Sequence, residues 1–343
     1  MRIDTIPRGV LAIAAGTVLL AMGIVLAVST ERGLAGYRVA LRQHGGDVLD
    51  LGADAEPQAD LQGRMVRVSG TPHVVVQPLD ADFNQQADTP LLTRHVQMFQ
   101  WRELRLGNDV TYELDWSDAP QDASRFVRPN GHANPGAFPV AGKRFVAESV
   151  RLGGFTLGAK LVQDLPGSVP IAPDAKSLPE NLAASFSLYD GALVTSAKPG
   201  DPRLGDLRVS WSAAPLQEVT VIARVDGDHL VPASDAADGK GYEVDVGDSA
   251  LVDMRPDMAA QPALTWLRRV LAVLLAALGT GLLLSRDAKR IDPLAALGGG
   301  LFVAGVFAAI PWLGGSALAL AAWIAVAALG LGLLLWRRRS PRR

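Results

Sequence analysis

Five histidines, 35 acidic side chains and no cysteine are what this 343-residue sequence offers for catalysis or metal binding. Without cysteine there is no disulfide framework, no thiolate zinc or iron–sulfur site and no cysteine nucleophile. His44, His73, His95, His132 and His229 form neither a His-x-x-x-His nor a His-Glu-x-x-His zinc pattern. A Gly-x-Ser-x-Gly elbow, a P-loop and a dinucleotide fingerprint are also missing. The best chemical candidate is the loop Gly131-His132-Ala133-Asn134-Pro135. A histidine and an amide two residues apart can bind an anion or position a proton, and with an acid such as Asp115 they would outline a hydrolase. The favoured reading is plainer: His132 and Asn134 hydrogen-bond their own loop, and Pro135 stiffens it. Asp235, Asp238, Asp245, Asp248, Asp253 and Asp257 fit no EF-hand spacing and read as a solvated acidic face. His95, beside Arg94, reads as a surface residue, and Trp101, Trp116 and Trp211 read as core. These patterns call for no catalytic residue, metal or cofactor.

The elements that carry these residues follow from an uneven distribution of charge and hydropathy. Residues 31–262 hold 21 Lys+Arg and 32 Asp+Glu, a net charge of −11, whereas the remainder holds 12 and 3, a net +9. An acidic middle between basic, apolar ends excludes a nucleic-acid partner, which needs a basic face. Val10–Val28 is an uncharged run long enough to approach the roughly 30 Å hydrocarbon core. It exceeds the usual length of a signal-peptide core, so a retained helix is expected over a cleaved signal. Ala263–Leu284, Leu294–Leu313 and Ala317–Trp336 supply three more spans, the first interrupted by Arg268 and Arg269. Asp292 and Pro293 open the third span as N-cap and first helical residue. Pro311, Gly314, Gly315 and Ser316 leave room only for a tight turn, so the last two helices form an antiparallel hairpin. Trp266, Trp312 and Trp336 fall at segment ends, where indoles prefer to sit.

Arg2 and Arg8, then Arg286, Lys289 and Arg290, then Arg337, Arg338, Arg339, Arg342 and Arg343 fall on one side after four crossings. By the positive-inside rule that side is cytoplasmic, with only Arg268 and Arg269 voting against. The expected organisation is therefore a tail and first helix (1–30), an exported mainly-β (α+β) domain (31–262), and three helices with a basic tail (263–343). No ionisable side chain falls near the middle of a span, which argues against a pump or ion-coupled transporter. Ala296, Gly300, Ala304 and Ala308 recur every four residues, as do Ala272 and Ala276. Such stripes pack helices within a bundle or against a second subunit.

Residues 31–62 open as a membrane-proximal stretch in which Tyr37, Val39 and Leu41 alternate, and from Arg64 the texture becomes β. Strands are expected over Met65–Val68, Val74–Val76, His95–Trp101, Tyr112–Trp116 and within Phe145–Leu157. Leu207–Trp211 and Glu218–Val225 read as a hairpin pair, and a helix is expected near Leu178–Phe186.

Leu92-Thr93-Arg94-His95-Val96-Gln97-Met98-Phe99-Gln100-Trp101 resembles the Arg-x-Val-x-Met-Tyr-Gln-Trp strand of the transmembrane protein 43 (LUMA) family, with Phe99 in place of the usual tyrosine. Gly131–Pro135 resembles its Gly-His-x-Asn-Pro loop. Gly205–Ser210, Val219–Arg224 and Leu230-Val231-Pro232 resemble its C-terminal stretch, and the order of helices and domain is similar along nearly the whole chain. The resemblance implies a multipass protein that self-associates and helps organise membranes, in eukaryotes those of the endoplasmic reticulum and nuclear envelope. It marks His132, Asn134, Pro135, Arg94 and Trp101 as interaction candidates. The expected function is a non-enzymatic membrane scaffold, with an envelope hydrolase or lipid-binding protein using the His132/Asn134 loop as the alternative. Partners are expected to be membrane lipids, further copies of the chain and other membrane proteins. The Ala-, Gly- and Arg-rich composition suggests a bacterial relative in the inner membrane.

Overall fold

A computed structural model describes residues 8–53, 55–258, 263–285 and 291–339. The chain divides into two compact units, Gln43–Met254 and a helical unit formed by Met1–Arg42 with Arg255–Arg343. In chain order the helices are α1 (Arg8–His44), α2 (Ala159–Gln163), α3 (Glu180–Ala183), α4 (Leu251–Met254), α5 (Thr265–Leu284), α6 (Pro293–Ala309) and α7 (Ala317–Arg339).

Four of these, α1, α5, α6 with its short 3-10 extension, and α7, are long and apolar enough to cross a membrane. Asp292 caps α6 as expected: its carboxylate accepts from the Leu294 and Ala295 amides, with Pro293 at the first turn. Small residues set the helix spacing. A Cβ on Gly300 would stand 2.6 Å from the Ala277 nitrogen of α5, and one on Gly305 would stand 2.7 Å from the Ala327 nitrogen of α7. Ala296, Ala304 and Ala308 are buried on α6. Thr280 of α5 bonds back to Ala276 O and reaches across to Ala296 O at 3.1 Å. Facing glycines and alanines thus bring backbones into contact without a hydrophobic driving force between helices.

The first helix differs from the expectation. It does not stop near Val28 but runs unbroken to His44, 37 residues or about 55 Å, well beyond one bilayer core. The alternation of Tyr37, Val39 and Leu41 belongs to this helix, which gives way at Gly45 with φ +86. Continuation brings Glu31 into the helical unit, fully buried. Its carboxylate takes two bonds from Arg269 (2.6 and 3.0 Å) and one from the Trp312 indole (2.9 Å). Arg269, read from sequence as a charge on the wrong side, is therefore neutralised by a partner 238 residues away. Arg2, Arg286, Lys289, Arg290, Arg342 and Arg343, on which the orientation rests, lie outside the described residues.

The other unit is mainly β. Its strands are β1 (Val48–Gly52), β2 (Met65–Gly70), β3 (His73–Val76), β4 (Leu79–Asp80), β5 (Gln85–Gln86), β6 (Leu91–Leu106), β7 (Asp109–Ser117), β8 (Lys143–Val146) and β9 (Ser149–Leu152). They continue with β10 (Phe155–Leu157), β11 (Val169–Ile171), β12 (Ser187–Tyr189), β13 (Ala192–Val194), β14 (Leu207–Ala213), β15 (Val219–Asp226), β16 (His229–Val231) and β17 (Glu243–Val246). One mixed sheet has the order β1-β2-β15-β16-β10-β9-β3 with β17 beside β15, and a second, antiparallel sheet has the order β12-β13-β14-β6-β7 with β8 on β6 and β11 on β14. The expected hairpin of Leu207–Trp211 with Glu218–Val225 does not form. β14 pairs β6 and β15 pairs β2, so the short link through Pro215 changes sheet. Both segments carry apolar residues with strand periodicity, and periodicity says nothing about which neighbour a strand takes. The helix expected near Leu178–Phe186 is the single turn α3.

Each sheet has its own core. Val66, Val68, Val221, Ala223 and Val225 of the first pack with Phe155, Leu161 and Leu230. Leu92, Val96, Val209 and Trp211 of the second pack around Phe83 and Leu193. Along β6 and β14 burial alternates with period two, which gives the second sheet an apolar inner face and a polar outer one.

Candidate functional site

The β6–β7 hairpin collects most of the residues singled out by sequence. Its 16-residue first strand pairs with β7 from Met98–Ser117 to Leu106–Asp109. The loop that follows folds back over the hairpin and is fastened at three places. Asn134 is the first. Its carbonyl accepts from the Trp101 amide at 2.8 Å, while its NH₂ donates to Trp101 O and Gln121 O at 3.0 and 3.1 Å. The side chain thus imitates a strand neighbour for Trp101. Pro135, next in the chain, lies where a Cβ on Gly205 (φ +91) would approach within 3.3 Å.

His132 is the second. Its ring stacks on Tyr112 with centroids 4.0 Å apart and meets the Trp101 ring edge-on at 4.7 Å. Nδ1 lies 2.9 Å from Arg128 O, so it carries the proton and donates to that carbonyl. Glu103 is the third. It accepts from the Tyr112 hydroxyl (2.9 Å), the Val127 amide (2.5 Å) and Arg105 (2.7 Å). Burial opposes ionisation of Glu103, but the Val127 amide, Arg105 and Tyr112 outweigh it and hold the carboxyl below the usual range. Burial and the neighbouring Glu103 push the Tyr112 phenol up. His132 thus spends Nδ1 on a carbonyl, and Asp115, the acid proposed beside it, is instead paired with Arg102 at 2.6 Å.

Arg94 lies elsewhere, on the buried inner face of the sheet. It donates to both oxygens of Asp80 (2.8 and 3.0 Å), to Asp82 (3.0 Å) and to Ala141 O (3.0 Å). Trp211 completes the arrangement by donating to Asp80 at 3.0 Å, and Phe83 and Phe145 flank the guanidinium. Asp80 is fully buried, and nothing in its local sequence announces that role. Trp211 is core as expected, whereas Trp101 and Trp116 are half-buried on the hairpin.

The acidic residues near the end of the β unit are spent on local structure. Asp235 pairs with Arg224, Asp238 with His44, and Asp248 with Arg67, while Asp245 accepts from Ser249. Among the described residues, no group of histidines and acids could hold a metal ion.

The family model described as transmembrane protein 43 matches residues 98–330, from the β6–β7 hairpin into α7. The chain belongs to the transmembrane protein 43 family. It is 31% identical to the transmembrane protein 43 homolog of Drosophila melanogaster over 52% of this chain and 51% of that protein. It is 28% identical to transmembrane protein 43 of Rattus norvegicus over 58% and 52%, and 29% identical to the Homo sapiens protein over 50% and 48%. The chain spans about half the length of the curated relatives it matches. No solved structure matches it. The family match takes in the Gly-His-Ala-Asn-Pro loop and β14–β16, and it starts four residues after Arg94. This member of the transmembrane protein 43 family is accordingly a membrane protein with four candidate spans and a mainly-β region between the first and the second.

Proposed function

We propose that the protein is a non-enzymatic membrane scaffold of the transmembrane protein 43 type, which self-associates and organises membrane or envelope complexes. The observation that carries this reading is how the Gly-His-Ala-Asn-Pro loop spends its polar groups. Asn134 is committed to Trp101 and Gln121, and His132 to Arg128 and two aromatic rings. The polar contacts of the most distinctive motif of the chain thus go into fastening the loop to the β6–β7 hairpin, which suits a binding surface. The proposed setting is a bacterial inner membrane, with both termini cytoplasmic and the β unit exported. Lipids, further copies of the chain and other membrane proteins are the proposed partners. Native mass spectrometry of gently solubilised protein tests the reading. Assemblies larger than one chain are expected, whereas a monomer with no bound protein, or turnover of a lipid or peptide by the purified chain, would overturn it.

A further inference from the structure

The polar outer face of the second sheet carries three cross-strand pairs between β14 and β6: Arg208 with Gln97, Ser210 with His95, and Ser212 with Thr93. Along the other side of β14, β13 covers Arg208 and Val209 while β11 covers Trp211 to Ala213, so the two neighbours hand over at Ser210. A groove of about 470 Å³ opens at this handover, and His95, Gln97, Arg208, Ser210, Ser212 and the turn residue Asp190 line it.

The chemistry of this groove is that of hydrogen-bond donors. Among the described residues, the Arg208 side chain bonds only to Gln97 Oε1, at 2.9 and 2.6 Å, and it lies over the Trp116 ring at 4.6 Å. Arg67, Arg94, Arg102 and Arg224 each have a carboxylate within ion-pair distance, but Arg208 has none among the described residues. Burial lowers the Arg208 pKa, with Asp115 and Asp190 opposing from farther away, so this cation has lost water without gaining a counter-ion. His95 Nε2 lies 2.8 Å from Ser212 Oγ. That contact is not a hydrolytic dyad: Ser212 sits in a strand paired on both sides, to Thr93 and to Pro170, so its backbone makes no oxyanion hole.

We propose that this groove binds a phosphate group, either of a small soluble molecule or of a lipid headgroup. Same-face positions two residues apart stand about 7 Å from each other, so one phosphate bridges the Arg208 and His95 levels while the Ser210 hydroxyl reaches a third oxygen. A guanidinium fork with free N–H groups suits a tetrahedral oxyanion, and a three-oxygen ligand uses donors from three directions where a carboxylate would use two. Asp190 also lines the groove, and its carboxylate disfavours more than one anionic group there.

The test is calorimetric titration of the full-length protein in neutral detergent with two probes, inorganic phosphate and a short-chain phosphatidylglycerol. Saturable binding of at least one probe is expected. Binding of both identifies the phosphate itself as the recognised group, and binding of the lipid alone identifies the headgroup. Arg208→Gln should weaken binding about tenfold or more, the loss of a charge-assisted contact. Arg203→Gln, an exposed change outside the groove, should leave it unchanged. Ser210→Ala, which removes one hydroxyl, is the second variant if Arg208→Gln does not fold, and it should weaken binding severalfold. No saturable binding of either probe, or equal affinity in wild type and the folded variants, would overturn the assignment.

Discussion

Asn134 and His132 stand two residues apart in one loop, yet their substitution should have unequal effects. Asn134→Ala removes three hydrogen bonds and leaves the Trp101 amide and carbonyl without partners, which costs about 1–3 kcal/mol for the unsatisfied groups. His132→Ala removes one bond and a stacked ring, about 0.5–1.5 kcal/mol net for the bond. Thermal melting should rank Asn134→Ala as the more damaging, and neither change should abolish a reaction. Glu103 adds a pH dependence. Its carboxyl is held below the ordinary range, so its contribution is fully present above about pH 4.3 and is lost as pH falls through the lowered value. Hydrogen exchange over residues 118–135 should therefore rise in acid below that point. Glu103→Gln should show fast exchange there at neutral pH and little further change on acidification.

Helix packing in the membrane unit is decided by groups that cannot be enlarged or left unpaired. Gly300→Leu would drive a side chain into the Ala277 backbone of α5, and overpacking of this kind costs about 1–3 kcal/mol. Disulfide crosslinking of paired cysteines introduced into α5 and α6 should fall in that variant, while the β unit, with its own cores, keeps its protease resistance. Glu31 ties α1 to Arg269 of α5 and to Trp312 just beyond α6. Breaking a buried pair by removing one partner costs about 3–5 kcal/mol, and the partial exposure of Arg269 brings Glu31→Ala to about 1–3 kcal/mol. Arg268→Ala, one residue away and exposed, is the control and should melt like the wild type.

At the scale of the whole molecule, the pairing of Arg269 with Glu31 removes one of the two charges, Arg268 and Arg269, that argued against a cytoplasmic location for both termini. The basic residues after α5 and after α7 then outnumber the remaining Arg268, so the positive-inside rule predicts both termini on the cytoplasmic side. Reporter fusions after Arg290 and after Arg343 should report cytoplasm, and fusions within residues 48–250 should report export. An exported C-terminus together with an exported β unit would mean that one of α5, α6 and α7 does not cross.

Hydropathy and charge along the chain determined the four helices, the α6 cap at Asp292 and the mainly-β middle, because these depend on local composition and on periods of two or 3.6 residues. The alternation in β6 put His95 outside as expected, but Trp101, read as core, shares that face and is half-buried. In the Gly-His-Ala-Asn-Pro motif His132 bonds its own loop as expected, whereas Asn134 reaches the β6 backbone at Trp101. Contacts between distant residues were decided only by the tertiary structure. Asp80 looks like any loop acid until Arg94 and Trp211 close around it from 14 and 131 residues away. Glu31 lies just past an apolar run, and only the continuation of α1 and the approach of Arg269 make it a buried anchor. β14 and β15 share a texture but belong to different sheets, because a strand's partner depends on competition among all the edges available. The groove beside Arg208 arises in the same way. It is a gap between β11 and β13, two strands that leave β14 uncovered at Ser210, and no local pattern encodes a gap.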